Sequence, residues 1–441
     1  MIPNITVSTI YSILGNNSSK VPLAIKDIAN STGMTTASYL SGDSAEGKDR
    51  FIDEFGSWAI WIWGIPIFQK ILDYTMYKPA KIDPKVDVRI FKNPEIVKAA
   101  KEFAPTKEIL KSLEDAASNQ KLAKGLTAVK FAASTILTAV SYLGLTKFRH
   151  NYTENQIKKD YFEKQKLNNR IESSQIPFSS AFADVHNNKK NNSKNVTFTG
   201  GLQDFIYDPV KNLMLVDGVI TGERLAHSKN PQDFFLYVIK EGSFWAFMYF
   251  AGEWISNALE RNADKKGTSI DLDARVIFGD KLKNSFKDGS MKKHLEEFRN
   301  ADVSDVDIYK FAVKPENKNL VVEFAKNSDI IELVKDSDRV DTRRYIDLDK
   351  LRGVREKLEK LLGQYETSGK TADEFFKTVR KLKQGAVLKN IGACIGALGV
   401  LCPALMFLTR KIGNNSGYQV RKDIEKKLAA QEKQHDIDNQ V

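Results

Sequence analysis

The residue types that most often carry catalysis are present in this sequence, but not in catalytic arrangements. Its five histidines, His150, His186, His227, His294 and His435, are scattered without metal-ligand spacing. The stretch GQYETSGKT, Gly363 to Thr371, has the outline of a phosphate loop. It carries five residues between its glycines where four are needed, and it follows a helical pattern where a strand is required, so it reads as a turn and a helix start. Cys394 and Cys402 lie eight residues apart in an apolar run, about 12 Å along a helix, which is too far for a mutual disulfide. They read as packing residues. The Asn-x-Ser/Thr triplets at Asn17, Asn151 and Asn195 are what an Asn-rich chain produces by chance. No Ser or Cys nucleophile has a base in sight. The expectation is a non-enzymatic protein with no metal, no cofactor and no small-molecule substrate.

What remains is charge and packing chemistry at the edges of apolar segments. Asp73 and Glu260 follow two related apolar blocks, and Lys130 and Lys389 lie near the start of the next block in each case. In a helical hairpin each acid and lysine share one level, which predicts the pairs Asp73 with Lys130 and Glu260 with Lys389, although Lys389 is one residue out of register. Ala132, Gly392, Gly396 and Gly399 form small-residue faces of the kind that let helix backbones approach in lipid. The expectation is a close contact at Gly392 and Gly396.

Four blocks must position these groups: Phe55 to Leu72, Leu126 to Thr146, Gly242 to Leu259 and Ala386 to Thr409. Each is long enough to match a hydrocarbon layer of about 30 Å. The mean hydropathy of -0.37 and charged content of 28% describe a soluble chain only as averages, because the apolar residues cluster in these blocks. Lys130, Lys240, Glu253 and Lys389 weigh against spanning, at roughly 2.5 to 3.5 kcal/mol for a charge at mid-helix. All but Glu253 are near or outside block ends, where a long stem can snorkel. Lys and Arg flank both ends of nearly every block, so loop charge does not orient the chain. The net charge of +11 suits an anionic surface, but basic and acidic residues alternate and no nucleic-acid partner is expected.

The blocks recur. A shift of 187 superimposes Glu54 on Glu241, Trp58 on Trp245 and Leu72 on Leu259, and a shift of 260 superimposes Gly125 on Gly385 and Val140 on Val400. Between them, a shift of 221 pairs Glu102, Phe103 and Ala104 with Glu323, Phe324 and Ala325, then Ile109 with Ile330 and Asp115 with Asp336. Upstream, Gly33 answers Gly218 with a shift of 185. The order of these landmarks predicts a tandem duplication. The organisation expected is a polar segment over 1–30, a first copy over 31–165, a flexible Asn/Ser/Lys-rich linker over 166–200, a second copy over 201–428 with insertions near 279–312 and 337–375, and a tail over 429–441. Asp217-Gly218 between apolar alternations is compatible with a small β-hairpin over 212–222. The predicted fold is all-α: two transmembrane hairpins, four spans, related by a parallel pseudo-two-fold, with helical insertions outside the membrane. The N-terminus lacks the features of a cleaved signal peptide, so insertion is expected from internal segments into a cytoplasmic-type membrane. The function classes carried forward are a membrane scaffold with a protein partner on its insertions, a transporter or channel, and a peripheral helical protein at a lipid surface.

Overall fold

The computed structural model describes residues 6–16, 19–41, 44–172, 206–226, 231–412 and 419–438. Among them the fold is all-helical, with a single isolated bridge between Leu333 and Val340. The helices are α1 (Val7–Gly15), α2 (Lys20–Ser41), α3 (Ser44–Leu72), α4 (Pro94–Glu102), α5 (Lys107–Ser118), α6 (Gln120–Glu172), α7 (Pro209–Ala226), α8 (Pro231–Trp245) and α9 (Ala251–Asp264). They continue with α10 (Ala274–Phe278), α11 (Asp280–Lys287), α12 (Ser290–Ala301), α13 (Asp305–Val313), α14 (Leu320–Asn327), α15 (Leu348–Thr367), α16 (Ala372–Gly396), α17 (Cys402–Ile412) and α18 (Gln419–Asp438). Single π turns extend α3 (Asp73–Tyr77), join α8 to α9 (Ala246–Phe250) and join α16 to α17 (Ala397–Leu401).

These elements form a bundle and a lobe. In the bundle α3 and α6 run antiparallel, since Asp73 meets Lys130 at one end while Asp49 meets Thr153 and Arg149 at the other. The lobe is at the Lys130 end, where Tyr77 bonds Thr127 and Ala123 enters the lobe core. α2 runs away from the lobe beside α16 and α17, and α7 runs the same way beside α8, from Tyr207 at the lobe to Arg224 at the far end. α6 continues past the far end, where Asp160 takes Arg421 of α18 at 2.7 Å and Tyr161 donates to Glu432 at 2.8 Å.

The lobe has an ordinary apolar core, with Leu113, Phe298, Ile308, Val322, Leu351, Phe375 and Val379 essentially buried. Three copies of one local device shape it. In Asp87-Val88-Arg89, Asp273-Ala274-Arg275 and Asp341-Thr342-Arg343 the Asp carboxylate accepts the Arg amide at 2.9, 2.7 and 3.1 Å, and the guanidinium folds back onto the same carboxylate. Two of these clamps abut: Asp87 N–H donates to the Arg343 carbonyl at 2.9 Å, and Arg343 Nη1 reaches Asp83 at 2.8 Å. Arg89 lies between the rings of Tyr207 and Tyr345, 4.5 Å from each centroid, which ties α7 to the lobe.

Three sequence expectations change, and the four-span expectation is met only in part. The stretch 212–222 is helical, because Leu213, Val216 and Ile220 supply a buried stripe at helical spacing and Asp217 and Gly218 are mid-helix in α7. The small-residue contact is displaced: a Cβ on Gly392 or Gly396 would meet nothing within 4 Å, whereas one on Gly33 would collide with the Gly399 carbonyl. The close approach is therefore between α2 and the π turn after α16, and Ala132 is exposed. Of the four blocks, two are in helices long and apolar enough to cross a membrane, within 120–166 and 372–408. The block over 242–259 is divided by a π turn. The registers also part after α14: Ile109 and Asp115 are in a helix, whereas Ile330 and Asp336 are in a non-helical stretch in which Asp336 has a positive φ of 59°.

Gly33→Val should lower thermal stability in detergent by about 1 to 3 kcal/mol, while Gly392→Leu should leave it nearly unchanged. Calorimetry of both variants measures this, and equal losses would contradict the placement of the contact. Burial alone would raise the Asp83 carboxyl, but the Lys85 amide, the Ser112 hydroxyl and the Arg343 guanidinium hold it below the ordinary carboxylate range. A depressed carboxylate contributes stability above its unfolded pKa of about 3.9, lost as pH falls through the folded value. Asp83→Asn should therefore flatten the loss of lobe stability below about pH 4, read by circular dichroism during acid titration.

Candidate functional site

The far end of the bundle holds a network of charges that the helices bury. The first turns of α3 present Arg50, Asp53 and Glu54, α6 presents Arg149, α7 presents Arg224, and α8 presents Lys240 and Glu241. Asp53, 2% exposed, takes Arg149 at 2.7 Å, Arg224 at 3.3 Å and Arg50 at 3.4 Å. Arg224 bridges onward to Glu241 at 2.9 Å, and Lys240 meets Glu54 at 3.2 Å and Glu241 at 3.4 Å. By distance Arg149–Asp53 is an ion pair, yet its carboxylate oxygen lacks hydrogen-bond geometry, so the contact is Coulombic rather than directional. The network brings together Glu54 and Glu241, the residues that the 187-residue shift superimposes.

α2 brings a second polar feature inside. Lys26, Asp27, Asn30, Ser31, Thr35 and Ser38 are all buried, and Lys26 Nζ donates to the Met248 carbonyl at 3.2 Å. The hydroxyls of Ser31, Thr35 and Ser38 and the indole nitrogens of Trp58 and Trp61 on α3 have no hydrogen-bond partner. Buried polar atoms without partners are uncommon and call for water or an ion in their place. On α7, Asp217 is 7% exposed and accepts the hydroxyl of Tyr249.

Tyr249 also lines a cavity of about 650 Å³ where bundle and lobe meet. Val210, Met214 and Phe250 form part of its wall, together with Glu253, Ser256, Asn257 and Glu260 of α9 and Lys383 and Asn390 of α16. Lys357 pairs with Asp271 at 3.1 Å, Lys211 with Asp208 at 3.4 Å, and Lys383 donates to the Ile270 carbonyl at 2.8 Å, so the cations at the rim are engaged. Glu253, the acid that interrupts the third apolar block, faces this cavity. Among the described residues no group of three or more His, Cys, Asp or Glu side chains could hold a metal ion.

The charge pairs expected from the sequence fare differently. Asp73 and Lys130 stand 2.5 Å apart at the lobe end, partly exposed, with Lys130 also 5.3 Å from the Tyr77 ring centroid. Glu260 and Lys389 are not brought together: Lys389 is exposed, while Glu260 accepts Ser269 Oγ at 3.3 Å. The one-residue offset turns Lys389 by about 100° around the helix, which aims it outward. Sequence reasoning passed over the far-end network because Asp53, Glu54, Lys240 and Glu241 sit just outside the apolar blocks. The alignment of Glu54 with Glu241 was the available signal. It also passed over α2, whose mixed composition fits no apolar block.

No known protein family matches the chain, and no curated protein and no solved structure is significantly similar to it.

Removing one member of a buried pair strands a desolvated charge, at about 3 to 5 kcal/mol, whereas a partly exposed pair contributes about 0 to 1 kcal/mol. Arg224→Met should therefore be far more destabilising in denaturant or thermal melts than Lys130→Met. Comparable losses would mean that the far-end network is solvated.

Proposed function

We propose that the chain is a non-enzymatic membrane scaffold whose helical bundle is embedded in lipid and whose lobe is displayed at one membrane face for a protein partner. The supporting observation is the partition of exposed apolar side chains. Over residues 77–121 and 260–385 Val303 is the one large apolar side chain left largely exposed. On the bundle, by contrast, Trp63, Ile67 and Ile71 of α3, Ile136, Val140 and Leu143 of α6, Trp254 of α9, and Val400, Leu405 and Leu408 after α16 all face outward. Water would tolerate scattered residues of this kind, but not a girdle around every outer helix. The two helices of spanning length argue the same way, because only 17% and 28% of their apolar windows is buried inside the protein, unlike core helices.

A second reading, that protein rather than lipid covers the girdle, is favoured by connectivity. α6 ends at the far end, and α7 begins beside the lobe. The intervening sequence is rich in Asn, Ser and Lys from Asn168 to Asn195. In a bilayer the end of α6 and the start of α7 would lie at opposite faces, an arrangement that lipid alone does not accommodate. A protein-covered bundle carries no such restriction.

Fractionation of expressing cells separates the two. Under the lipid reading the chain stays in the membrane pellet after a carbonate wash and is released by detergent. Release by carbonate into a large soluble assembly would establish the protein-covered bundle instead.

A further inference from the structure

Within a lipid-embedded bundle, ionisable groups are costly to bury and are a mark of function, proton relays among them. Here they form a series along the bundle axis. Near the lobe is the cavity lined by Glu253 and Tyr249. Tyr249 donates to the buried Asp217, about two turns of α7 before Arg224. Across from these, α2 presents buried Asp27 and then the unpartnered hydroxyls of Ser31, Thr35 and Ser38, beside α3 with its unpartnered Trp58 and Trp61 nitrogens. At the far end the series reaches Glu241, Glu54 and Asp53, with the partly exposed Asp49 contacting Arg149 beside them. Six carboxylates, Asp27, Glu46, Asp53, Glu54, Asp217 and Glu241, thus share the interior with Lys26, Arg50, Arg149, Arg224 and Lys240.

We propose that this interior is a proton path connecting the lobe-side cavity to the far end of the bundle, with ordered waters satisfying the orphaned hydroxyls and indoles. The inference rests on the lipid reading, since a proton path has a function only across a barrier. A proton is favoured over a larger ion because Ser31 and Ser38 are wholly buried, which leaves no open surface for a hydrated ion to follow. The path therefore offers oxygen-to-oxygen relay rather than a pore. Each step transfers H⁺ from one oxygen to the next, breaking one O–H bond and forming another, with no electron transferred. Asp217 and Asp27 act as the acceptors between the two ends. The arginines and lysines compensate the carboxylates at the far end, so the path is not walled by charge of one sign.

The test uses the full chain, reconstituted into phosphatidylcholine and phosphatidylglycerol vesicles containing a pH-sensitive dye, with a potassium gradient and valinomycin to drive proton entry. Wild type is expected to acidify the interior faster than protein-free vesicles do. Asp27→Asn and Asp217→Asn should lower the protein-dependent rate by about tenfold or more, as expected when a proton-relay carboxyl is removed. Lys292→Ala, on the lobe surface, should leave it unchanged. If either Asn variant does not fold by circular dichroism, Tyr249→Phe decides, because it removes only the hydroxyl that couples the cavity to Asp217 and should also slow flux. Wild-type flux at the protein-free level, or folded Asp217 and Tyr249 variants that conduct like wild type, would overturn the path while leaving the membrane reading intact. A chain that fails to float with the vesicles on a density gradient would instead sink both.

Discussion

Pairing of the buried charges at the far end of the bundle is the constraint on which the remaining arrangement depends. Asp53 is almost wholly buried and gathers Arg50, Arg149 and Arg224. Isolated charges there would cost several kcal/mol each in lost solvation, so the helices are held in the register that keeps every charge compensated. That register fixes α3 against α6, α7 and α8, and α7 against α8. Apolar packing alone would not do so, since the outward faces of these helices are themselves apolar and offer many equivalent sliding positions.

At the other end the lobe solves the same problem locally. Each Asp-x-Arg clamp satisfies its charge within three residues of chain, and the clamps at Asp87 and Asp341 then join two distant segments through one backbone hydrogen bond and the Arg343–Asp83 bridge. Tyr207, packed on Arg89 and accepting the Val88 amide at 3.2 Å, couples the start of α7 to this arrangement. The lobe and the charged floor thus lie at the two ends of an interior that is polar along α2 and lacks partners for several of its atoms.

Much of the coarse architecture was legible because it rests on periodicity. The all-helical class follows from the apolar spacing, and the turn and helix start after Gly363 appear as Gly369 with φ of 65° and a full capping box at Thr371 and Glu374. The β-hairpin expectation failed because alternation over so short a stretch also fits a helical stripe, and only the neighbours of Leu213 and Val216 decide between them. Gly392 and Gly396 misled for a related reason: spacing shows that a helix has a small face, but not which helix approaches it. The partner, Gly33, lies in a polar helix that hydropathy does not single out. The far-end network was the least legible, because its members come from four helices and become neighbours only after folding.

The central claim is that lipid surrounds the bundle and water surrounds the lobe. It is tested most directly by spin labels on cysteines introduced at Ile136, Leu405 and Val303, with Cys394 and Cys402 replaced, in chain reconstituted into vesicles. Labels at Ile136 and Leu405 should relax with membrane-dissolved oxygen and resist a water-soluble nickel chelate, while the label at Val303 should do the reverse. Ready access of the chelate to Ile136 and Leu405 would contradict the account.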